Sequence, residues 1–530
     1  MNNIWFHIIF WGFIAFYLYV TFVLGKKHPT IGQFYNMNQS AGPFLIAGTY
    51  TATWISAFGM IGVAGVSYSV APLSGILMWG AMIGFVITGF AFGPRLRRFG
   101  QVTLGDYFGA RFDSPLLQVI SAAIVIVGLL AYFVSQTMGS AIVTEMIFGI
   151  DYNVMVIVMT IIFVIIAVTA GAQSVTITDT IMMATIAVAL GYLFAPSLLY
   201  KVGIDGFTVH AKQNPAFYTY GGGKIAFSTI VGWQIIWALG NASMPQALTR
   251  CYLAKNNTDW YKSILMALML TLSIVWLTHM ASAGVKILNP GLEGNKSLLW
   301  ASKNAVSPLI GAFAAAGLFA AALSSATTQV LYLAFAVTRD IYEKYFQSTK
   351  TKKEVIEKKL LLLTRIWIVI FGVLGAIFAI WKPAELVQFG NLAASIFASS
   401  FFPPLLLGLY WQKCTKQGAF FGMIGGFVAI LFLSYLGLAL GKKFGDYSYL
   451  PFGLSPIYWG VCISFSLVFV GSLLTSVTPS QEKVFKMTAT PGEVDYLSDK
   501  DRKSLIKWVY VAGVYLILQT TIIVWFSTKV

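Results

Sequence analysis

The sequence predicts an all-α integral membrane protein of about fourteen (13–14) transmembrane helices. Three observations predict this fold class: 58% of the 530 residues are hydrophobic, only 10% are charged, and the mean hydropathy is +0.76. A chain of this composition has too little polar surface to cover a soluble globule. The first apolar run is not followed by a cleavage-type signal, so we expect it to be an anchor.

Apolar runs of about 20 residues, long enough to cross a bilayer, occur fourteen times and are named spans one to fourteen. They cover residues 4–24, 43–70, 74–95, 116–147, 153–172, 176–200, 223–248, 263–286, 306–337, 361–381, 384–411, 418–440, 456–477 and 505–527. No loop is long enough to fold alone, so we expect a single membrane domain over residues 1–530. The charged segment 476–503 is expected to be a solvated linker.

The basic residues are distributed unevenly between alternate loops. If the N-terminus lies outside, 25 of the 35 Lys and Arg residues fall on the inside and 10 on the outside. This asymmetry follows the positive-inside rule, so the net charge of +16 indicates topology and no nucleic-acid partner. We expect a multi-pass protein of the cell membrane whose partners are the lipid bilayer and a small solute, with no obligate protein partner.

Cysteine and histidine patterns give no support to an enzyme. Cys251, Cys414 and Cys462 suggest neither a disulfide framework nor a metal cluster. The chain has no HExxH motif and no Walker glycine loop. A transporter, a channel or a sensor remains.

Span two carries Gly59, Gly62 and Gly65, and each glycine costs a helix about 1 kcal/mol relative to alanine. Small residues favour close helix packing in membranes. They also occur in a broken helix whose unwound carbonyls line a cavity. Span two alone does not decide between these readings.

Span nine contains the run SSATT, in which Ser324, Ser325, Thr327 and Thr328 place four hydroxyls in five positions. Ala321, Ser324, Ser325 and Thr328 share one helix face. Such a row of neutral oxygens favours a weakly held alkali cation. The alternative is that the hydroxyls bond to carbonyls of their own helix and permit tight packing.

Asp179 is the acidic residue set most clearly within an apolar run, at the inner end of span six. An ionisable group at that depth is a functional candidate, although Asp also caps helix starts. An unpaired carboxylate there would have to take up a proton or a cation. The hydroxyl-rich face of span nine favours a cation.

Four segments resemble the sodium:solute symporter family over nearly the whole chain. They are TAGAQSVTITDT in span six, GNASMPQALTRC at the end of span seven, ALSSATTQVLYLAFAVTRDIY in span nine and NLAASIFASSFFPPLLLGLYW in span eleven. The resemblance implies the LeuT fold, with one inverted five-helix repeat over residues 43–201 (spans two to six) and a second over 223–411 (spans seven to eleven). Residues 1–42, with the first helix and an inside loop, and the accessory C-terminal helices of 412–530 would flank them.

The resemblance also implies an ion site and a coupling ion, Na+. The shared sodium site falls on the backbone oxygens of Ala52, Ile55 and Ala321 and the hydroxyls of Ser324 and Ser325. A second sodium site, found in some members, would use Asp179, Ser324, Thr327 and Thr328. One sodium with a structural Asp179, or proton coupling through Asp179, remains open.

The family's substrate-facing positions correspond to ten residues here: Trp54, Ser56, Gly59, Gln136, Trp237, Gly240, Asn241, His279, Gln388 and Asn391. No Lys or Arg sits mid-span, so an anionic solute would rely on sodium, amides and helix N-termini. The segments WKPAELVQFGNLAASIF, THMASAG and PQALTRC resemble the pantothenate and short monocarboxylate branch.

The sequence therefore predicts sodium-coupled symport of a small organic acid by alternating access. Proline, another amino acid or another neutral solute is the alternative substrate. A non-transporting sensor or a passive channel is the alternative of another class.

Overall fold

The computed structural model describes residues 4–25, 37–70, 79–100, 103–169, 172–219, 221–346, 353–442, 446–492 and 495–529. Within these ranges, twelve helices are long and apolar enough to cross a membrane. They are Ile4–Leu24 (span one), Trp79–Phe99 (three), Pro115–Phe148 (four), Tyr152–Thr169 (five), Gln173–Gln213 (six), Asn257–Leu288 (eight), Pro308–Phe346 (nine), Val355–Trp381 (ten), Leu386–Tyr410 (eleven), Lys416–Ala439 (twelve), Pro456–Leu473 (thirteen) and Asp499–Phe526 (fourteen).

Spans two and seven are both interrupted. Span two consists of Pro43–Trp54 and Phe58–Ser69, bent by 54° at the break, and counts as a thirteenth crossing. Span seven has a 17-residue helix, Phe227–Ser243, which ends at Met244 and is followed by two short turns, Pro245–Leu248 and Thr249–Leu253. The all-α membrane prediction is confirmed, and the two interruptions account for the difference from fourteen unbroken helices.

Shorter helices connect the spans on both sides of the molecule. They are Met37–Gln39, Leu104–Arg111, Pro215–Tyr218, Gly294–Lys296, Ser297–Asn304, Pro451–Gly453 and Pro479–Ala489. Span six is longer than its apolar run, because its helix continues to Gln213 through a bend at Gly203. The predicted start of span three, residues 74–78, lies outside the described residues.

Helix starts follow from local sequence. The side chains of Ser114 and Ser307 cap spans four and nine by accepting from backbone N–H groups, and each is followed by proline. Proline fits the first helical turn because its missing N–H is not needed there. These caps fix where two of the spans closest to the site begin.

Spans nine and eleven form the centre of the molecule and span fourteen lies at its edge. The most apolar window is 83% buried in spans nine and eleven but only 17% buried in span fourteen. The hydroxyl-rich run of span nine therefore faces protein on all sides, and span fourteen presents most of its surface to lipid.

One end of the molecule, which we call the basic side, gathers the loops that follow several odd-numbered spans. The Nη1 atom of Arg97, after span three, donates to the carbonyl of Ala254, after span seven, at 2.7 Å. The hydroxyl of Thr103 donates to Asp340 of span nine at 2.6 Å. These contacts place the ends of spans three, seven and nine together.

The expectation that segment 476–503 is a solvated linker is wrong. It contains the helix Pro479–Ala489, here named the linker helix, which packs on the basic side. Asp495 pairs with Arg98 at 2.7 Å, and Gln481 donates to the carbonyl of Phe112 at 3.1 Å. The physical reason is that guanidinium groups such as that of the fully buried Arg111 need acceptors, and the carbonyl of Gln481 supplies one at 3.4 Å.

Candidate functional site

Span two unwinds over residues 55–57, in the middle of the molecule. Helical geometry stops at Ile55, whose φ and ψ are −75° and 97°. The N–H of Ala57 has left the helical pattern and donates to Oε1 of Gln136 at 2.8 Å. The broken-helix reading of span two is therefore confirmed. The break precedes Gly59, which lies in the π-helical segment Phe58–Val63.

The two serines of span nine lie against this break. The hydroxyl of Ser324 donates to the carbonyl of Ala52 at 2.9 Å. The hydroxyl of Ser325 donates to the carbonyls of Thr53 at 3.1 Å and Ala52 at 3.4 Å. All of these groups are buried. Hydroxyl and carbonyl oxygens thus converge from two helices, as a weakly binding alkali-cation site requires.

The remaining two members of the predicted sodium site lie beside this contact. Ala321 offers its carbonyl to the hydroxyl of Ser324 at 3.3 Å. Ile55 is the residue at which the helix ends, so its backbone is no longer part of a regular helical ladder. The described residues hold no group of three or more His, Cys, Asp or Glu side chains arranged for a metal, and neutral oxygens dominate this site.

Asp179 lies next to span nine and has an unexpected partner. Its Oδ2 accepts hydrogen bonds from Thr49 at 2.8 Å and Thr328 at 3.3 Å. The guanidinium of Arg250 approaches the same oxygen at 3.3 Å, and both side chains are at most 2% exposed. The expectation that this carboxylate lacks a partner unless it binds an ion is wrong. Arg250 reaches it because span seven breaks at Met244 and turns inward.

The four predicted members of the second sodium site do not all meet. Asp179 and Thr328 are hydrogen-bonded to each other. The hydroxyl of Thr327 instead donates to the carbonyls of Leu323 at 3.0 Å and Ser324 at 3.2 Å on its own helix. In this conformation Ser324 faces Ala52.

An aromatic wall lies directly beyond the break of span two. Phe58 stacks on Trp237, with ring centroids 4.6 Å apart and an interplanar angle of 28°. The ring of Tyr132 lies 6.2 Å from that of Trp237. Nε1 of Trp237 donates to Oδ1 of Asn391 at 2.9 Å. The structure thus brings Trp237 and Asn391 together near the break.

Three further predicted substrate residues each retain a polar atom without a partner. These buried atoms, unpartnered among the described residues, are Nε1 of Trp54, Nδ1 of His279 and Oδ1 of Asn241. The other ring nitrogen of His279 donates to the carbonyl of Gly59 at 3.0 Å, and Nδ2 of Asn241 donates to Ala81 at 3.0 Å. A polar solute could satisfy such atoms.

The other predicted substrate residues have structural contacts. The hydroxyls of Ser56 and Tyr132 lie 3.1 Å apart. A Cβ atom on Gly240 would lie 2.6 Å from the carbonyl of Ala394, so glycine is needed there for close packing. Gln136 accepts the hydrogen bond from the N–H of Ala57 at the break, as described above.

Gln388 lies at the mouth of the site. It completes a capping box with Glu385 at the start of span eleven. It also lines a cavity of about 1060 Å³ together with Gly62 and Trp233.

Sequence reasoning missed five residues of this region: Thr49, Thr53, Phe58, Tyr132 and Arg250. Tyr132 lies four positions before Gln136 in the unbroken helix of span four, so it shares a helix face with a residue already singled out. That periodicity is the signal by which it could have been found. Phe58 lies four positions after Trp54, but the break of span two separates the two residues, so helical spacing does not predict its position. Arg250 carried no such signal, because only the inward turn of span seven brings it to Asp179.

The family model for the sodium:solute symporter family matches residues 34–426. The chain belongs to this family. Its members are transporters, so the chain is not an enzyme, and sodium is the coupling ion.

Curated relatives of the family cover most of the chain. The osmoregulated proline transporter OpuE of Bacillus subtilis (strain 168) is 26% identical over 459 residues, which are 83% of this chain and 90% of the relative. Sodium/proline symporter 2 of Staphylococcus saprophyticus is 24% identical over 498 residues, 89% of this chain and 96% of the relative. The sodium/proline symporter of Staphylococcus aureus (strain JH9) is 26% identical over 486 residues, 87% and 92% of the two chains.

Solved structures show the same fold. A Na+-coupled sialic acid symporter, in a substrate-bound outward-open state, superposes with a TM-score of 0.72 at 16% identity and covers 89% of this chain and 97% of its own. Mhp1, a nucleobase-cation-symport-1 family transporter, superposes with a TM-score of 0.56 at 13% identity and covers 87% and 99%. The predicted LeuT-type fold is confirmed.

Proposed function

We propose that this family member takes up a compact zwitterionic amino acid, of which proline is the leading candidate, together with sodium. The observation that carries the proposal is the contact of Ser324 and Ser325 with the unwound carbonyls of Ala52 and Thr53. The same break leads directly to the aromatic wall of Phe58 and Trp237. One unwound segment would therefore serve both sodium and solute.

Sharing a segment gives a physical route to coupling. In this proposal sodium is held by the carbonyl oxygens of Ala52, Ile55 and Ala321 and the hydroxyls of Ser324 and Ser325. A bound ion fixes the otherwise irregular backbone, and a solute that docks on the fixed backbone loses less conformational freedom when it binds. Each ligand then raises the affinity for the other by the same factor.

The choice of a zwitterion rests on the surroundings of the aromatic wall. The predicted substrate residues around it are aromatic, amide or hydroxyl groups and one neutral-capable histidine, so a solute with a large net charge would be poorly compensated. Aromatic faces suit a compact apolar ring and a cationic amine, and sodium compensates a carboxylate. The three relatives described above are named as proline transporters.

A short monocarboxylate or pantothenate is the second candidate. One observation favours it: Nδ1 of the buried His279 has no partner in the described part of the chain. Because Nε2 donates to the carbonyl of Gly59, Nδ1 of the neutral ring is an acceptor. A hydroxyl group of pantothenate or of a hydroxy-monocarboxylate is a suitable donor to it. The amine of proline is also a donor, so this observation alone does not separate the two candidates.

Uptake into proteoliposomes tests both parts of the proposal. The purified protein is reconstituted, an inward sodium gradient is imposed, and radiolabelled proline, other amino acids, pantothenate and short monocarboxylates are compared. Proline uptake that requires sodium and disappears in potassium or after sodium-ionophore treatment supports the proposal. Sodium-driven uptake of a monocarboxylate without proline uptake would replace the solute, and uptake indifferent to sodium would reject the coupling.

A further inference from the structure

The side chain of Arg250 inserts a positive charge among oxygens that a second cation would need. Its Nη2 atom lies 3.1 Å from the hydroxyl oxygen of Thr53, 3.1 Å from that of Thr328 and 3.3 Å from Oδ2 of Asp179. These four residues come from four different spans or their ends. Arg250 is 1% exposed, so water does not screen its charge.

A sodium ion and this guanidinium cannot use Oδ2 of Asp179 at the same time. A cation bound to the carboxylate and to Thr328 would need the lone pairs to which Nη2 now donates. Two positive charges at contact distance in a site this dry repel strongly. Either the guanidinium of Arg250 or a second sodium ion therefore occupies this position, but not both.

The guanidinium of Arg250 makes these hydrogen bonds from a single nitrogen atom. All three hydrogen bonds use Nη2, and Nε has no partner within the described residues although it is buried. The group lies 6.0 Å from the ring of Tyr332. Arg250 belongs to the short turn Thr249–Leu253 after the break of span seven, and such element ends are where hinge motion concentrates.

We propose that Arg250 is a tethered cation that occupies the second sodium position at Asp179 and Thr328, and that a second sodium ion enters only when the guanidinium leaves. The proposal rests on the proposed sodium-coupled function. If it holds, the number of sodium ions bound depends on the position of Arg250 as well as on the oxygen ligands. The proposal implies that the conformation described here binds one sodium ion, at Ser324 and Ser325.

Thr53 connects the two cation positions. Its backbone carbonyl accepts from Ser325 of the first position, and its hydroxyl accepts from Arg250 at the second. Departure of the guanidinium therefore alters a residue that also accepts a hydrogen bond from Ser325 of the first sodium site.

Direct binding of radioactive sodium to the purified protein tests the proposal. At sodium concentrations that saturate the first site, the wild-type protein is expected to bind one ion and Arg250→Gln two. The sodium concentration that half-saturates the second site should be about tenfold lower in Arg250→Gln than in the wild-type protein. Arg250→Lys keeps a tethered positive charge and should still exclude the second ion. The double variant Asp179→Asn/Arg250→Gln should return to one ion, because the carboxylate is gone.

A milder variant keeps the test decisive if Arg250→Gln does not fold. Thr53→Val has nearly the same shape and removes one acceptor of Nη2 without touching either charge. It should strengthen binding of the second ion about fivefold, as expected for one lost hydrogen bond. An unchanged ion count and affinity in both Thr53→Val and Arg250→Gln would overturn the proposal. A wild-type protein that binds no sodium would instead reject the sodium site itself, so the two failures are distinguishable.

Discussion

Neighbouring hydroxyls of span nine have different partners although they share one helix. Ser324 and Ser325 donate across to the carbonyls of span two, whereas Thr327 donates back to Leu323 and Ser324 of its own helix. Residue type and spacing predicted the cluster, but the direction of each hydroxyl depends on what lies opposite. A carbonyl freed by a break accepts from a hydroxyl on the facing helix, whereas Thr327 donates to carbonyls of its own helix.

Replacing either Ser324 or Ser325 by alanine should weaken sodium activation of uptake. Each substitution removes one oxygen of the proposed sodium site and one buried hydrogen bond, while it leaves almost no cavity. We expect the half-saturating sodium concentration to rise about tenfold, equivalent to about 1.4 kcal/mol, at nearly unchanged protein abundance. Sodium titration of uptake measures this.

Ser263→Ala is the matched control for these serine variants. Its hydroxyl is fully buried and donates only to Trp260 on its own helix in span eight. The half-saturating sodium concentration of this variant should equal that of the wild-type protein. Sodium activation that is equally normal in Ser324→Ala and Ser325→Ala would remove both serines from the ion site.

Arg250 marks the limit of residue-level prediction. No Lys or Arg sits mid-span in the apolar runs, so the sequence predicts no partner for Asp179 other than an ion or a proton. The inward turn after Met244 brings Arg250 to within 3.3 Å of it. Such a pairing depends on a tertiary turn, which residue spacing along one helix does not encode.

At the scale of elements, the position of the break in span two is set by its neighbours. The glycines indicated an irregular helix, yet the unwound residues 55–57 precede Gly59. Gln136 of span four supplies the acceptor for Ala57, and Ser324 of span nine supplies a donor for Ala52. The glycines left a break of span two open as one of two interpretations, and the partners on spans four and nine determine where the break lies.

Gln136→Leu should destabilise the break. The variant keeps side-chain bulk but leaves the buried N–H of Ala57 without an acceptor, which costs about 1–3 kcal/mol. We expect a lower unfolding temperature and a reduced maximal uptake rate, measured by thermal unfolding in detergent and by initial rates in liposomes.

Gln519→Leu on span fourteen is the control for the Gln136 variant. Gln519 is 7% exposed and its Oε1 finds no partner among described groups. Replacing this amide by leucine should leave the unfolding temperature unchanged or raise it. Equal effects of the two substitutions would mean that Gln136 does not support the break.

Gly390→Ala tests the packing of span eleven against the aromatic wall. A Cβ atom at this position would lie 2.1 Å from a ring carbon of Phe58, so the ring and its stacked partner Trp237 must shift. We expect the apparent affinity for the solute to fall at least about tenfold, since overpacking costs about 1–3 kcal/mol. Solute-concentration dependence of uptake measures the change.

Gly513→Ala in span fourteen provides the comparison for this glycine. Nothing lies within 4 Å of its added Cβ atom, so solute affinity should be unchanged. A normal solute affinity in Gly390→Ala would show that the wall of Phe58 and Trp237 does not face the solute.

At the scale of the whole molecule, the alternation of spans brings the loops after spans three, seven and nine to the basic side. From the distribution of Lys and Arg between alternate loops, we propose that this side is cytoplasmic and that the N-terminus is outside. The apolar runs predicted the number of crossings well because each hydrocarbon crossing needs a fixed length of apolar helix. They did not predict the breaks or the packed linker helix, which depend on contacts between distant segments.

Site-directed labelling tests this orientation. In a protein whose exposed Cys462 is replaced by serine, a cysteine at Lys358 should react with a membrane-impermeant maleimide only from the cytoplasmic side of the membrane. A cysteine at Asn214 should react only from outside. Labelling in the reverse pattern would invert the proposed topology, and labelling of both positions from one side would contradict the alternation of spans.

The packed linker helix has a consequence for how the chain is made. Arg98, Arg111 and Phe112 precede span four, but partners of theirs, Asp495 and Gln481, lie 369–397 positions downstream. During synthesis from the N-terminus these early groups must wait, without those acceptors and donors, until nearly the whole protein has been translated and inserted. A shortened gene that stops at residue 426, where the family match ends, would encode all the proposed ligand-binding residues and still yield a product whose basic side never closes.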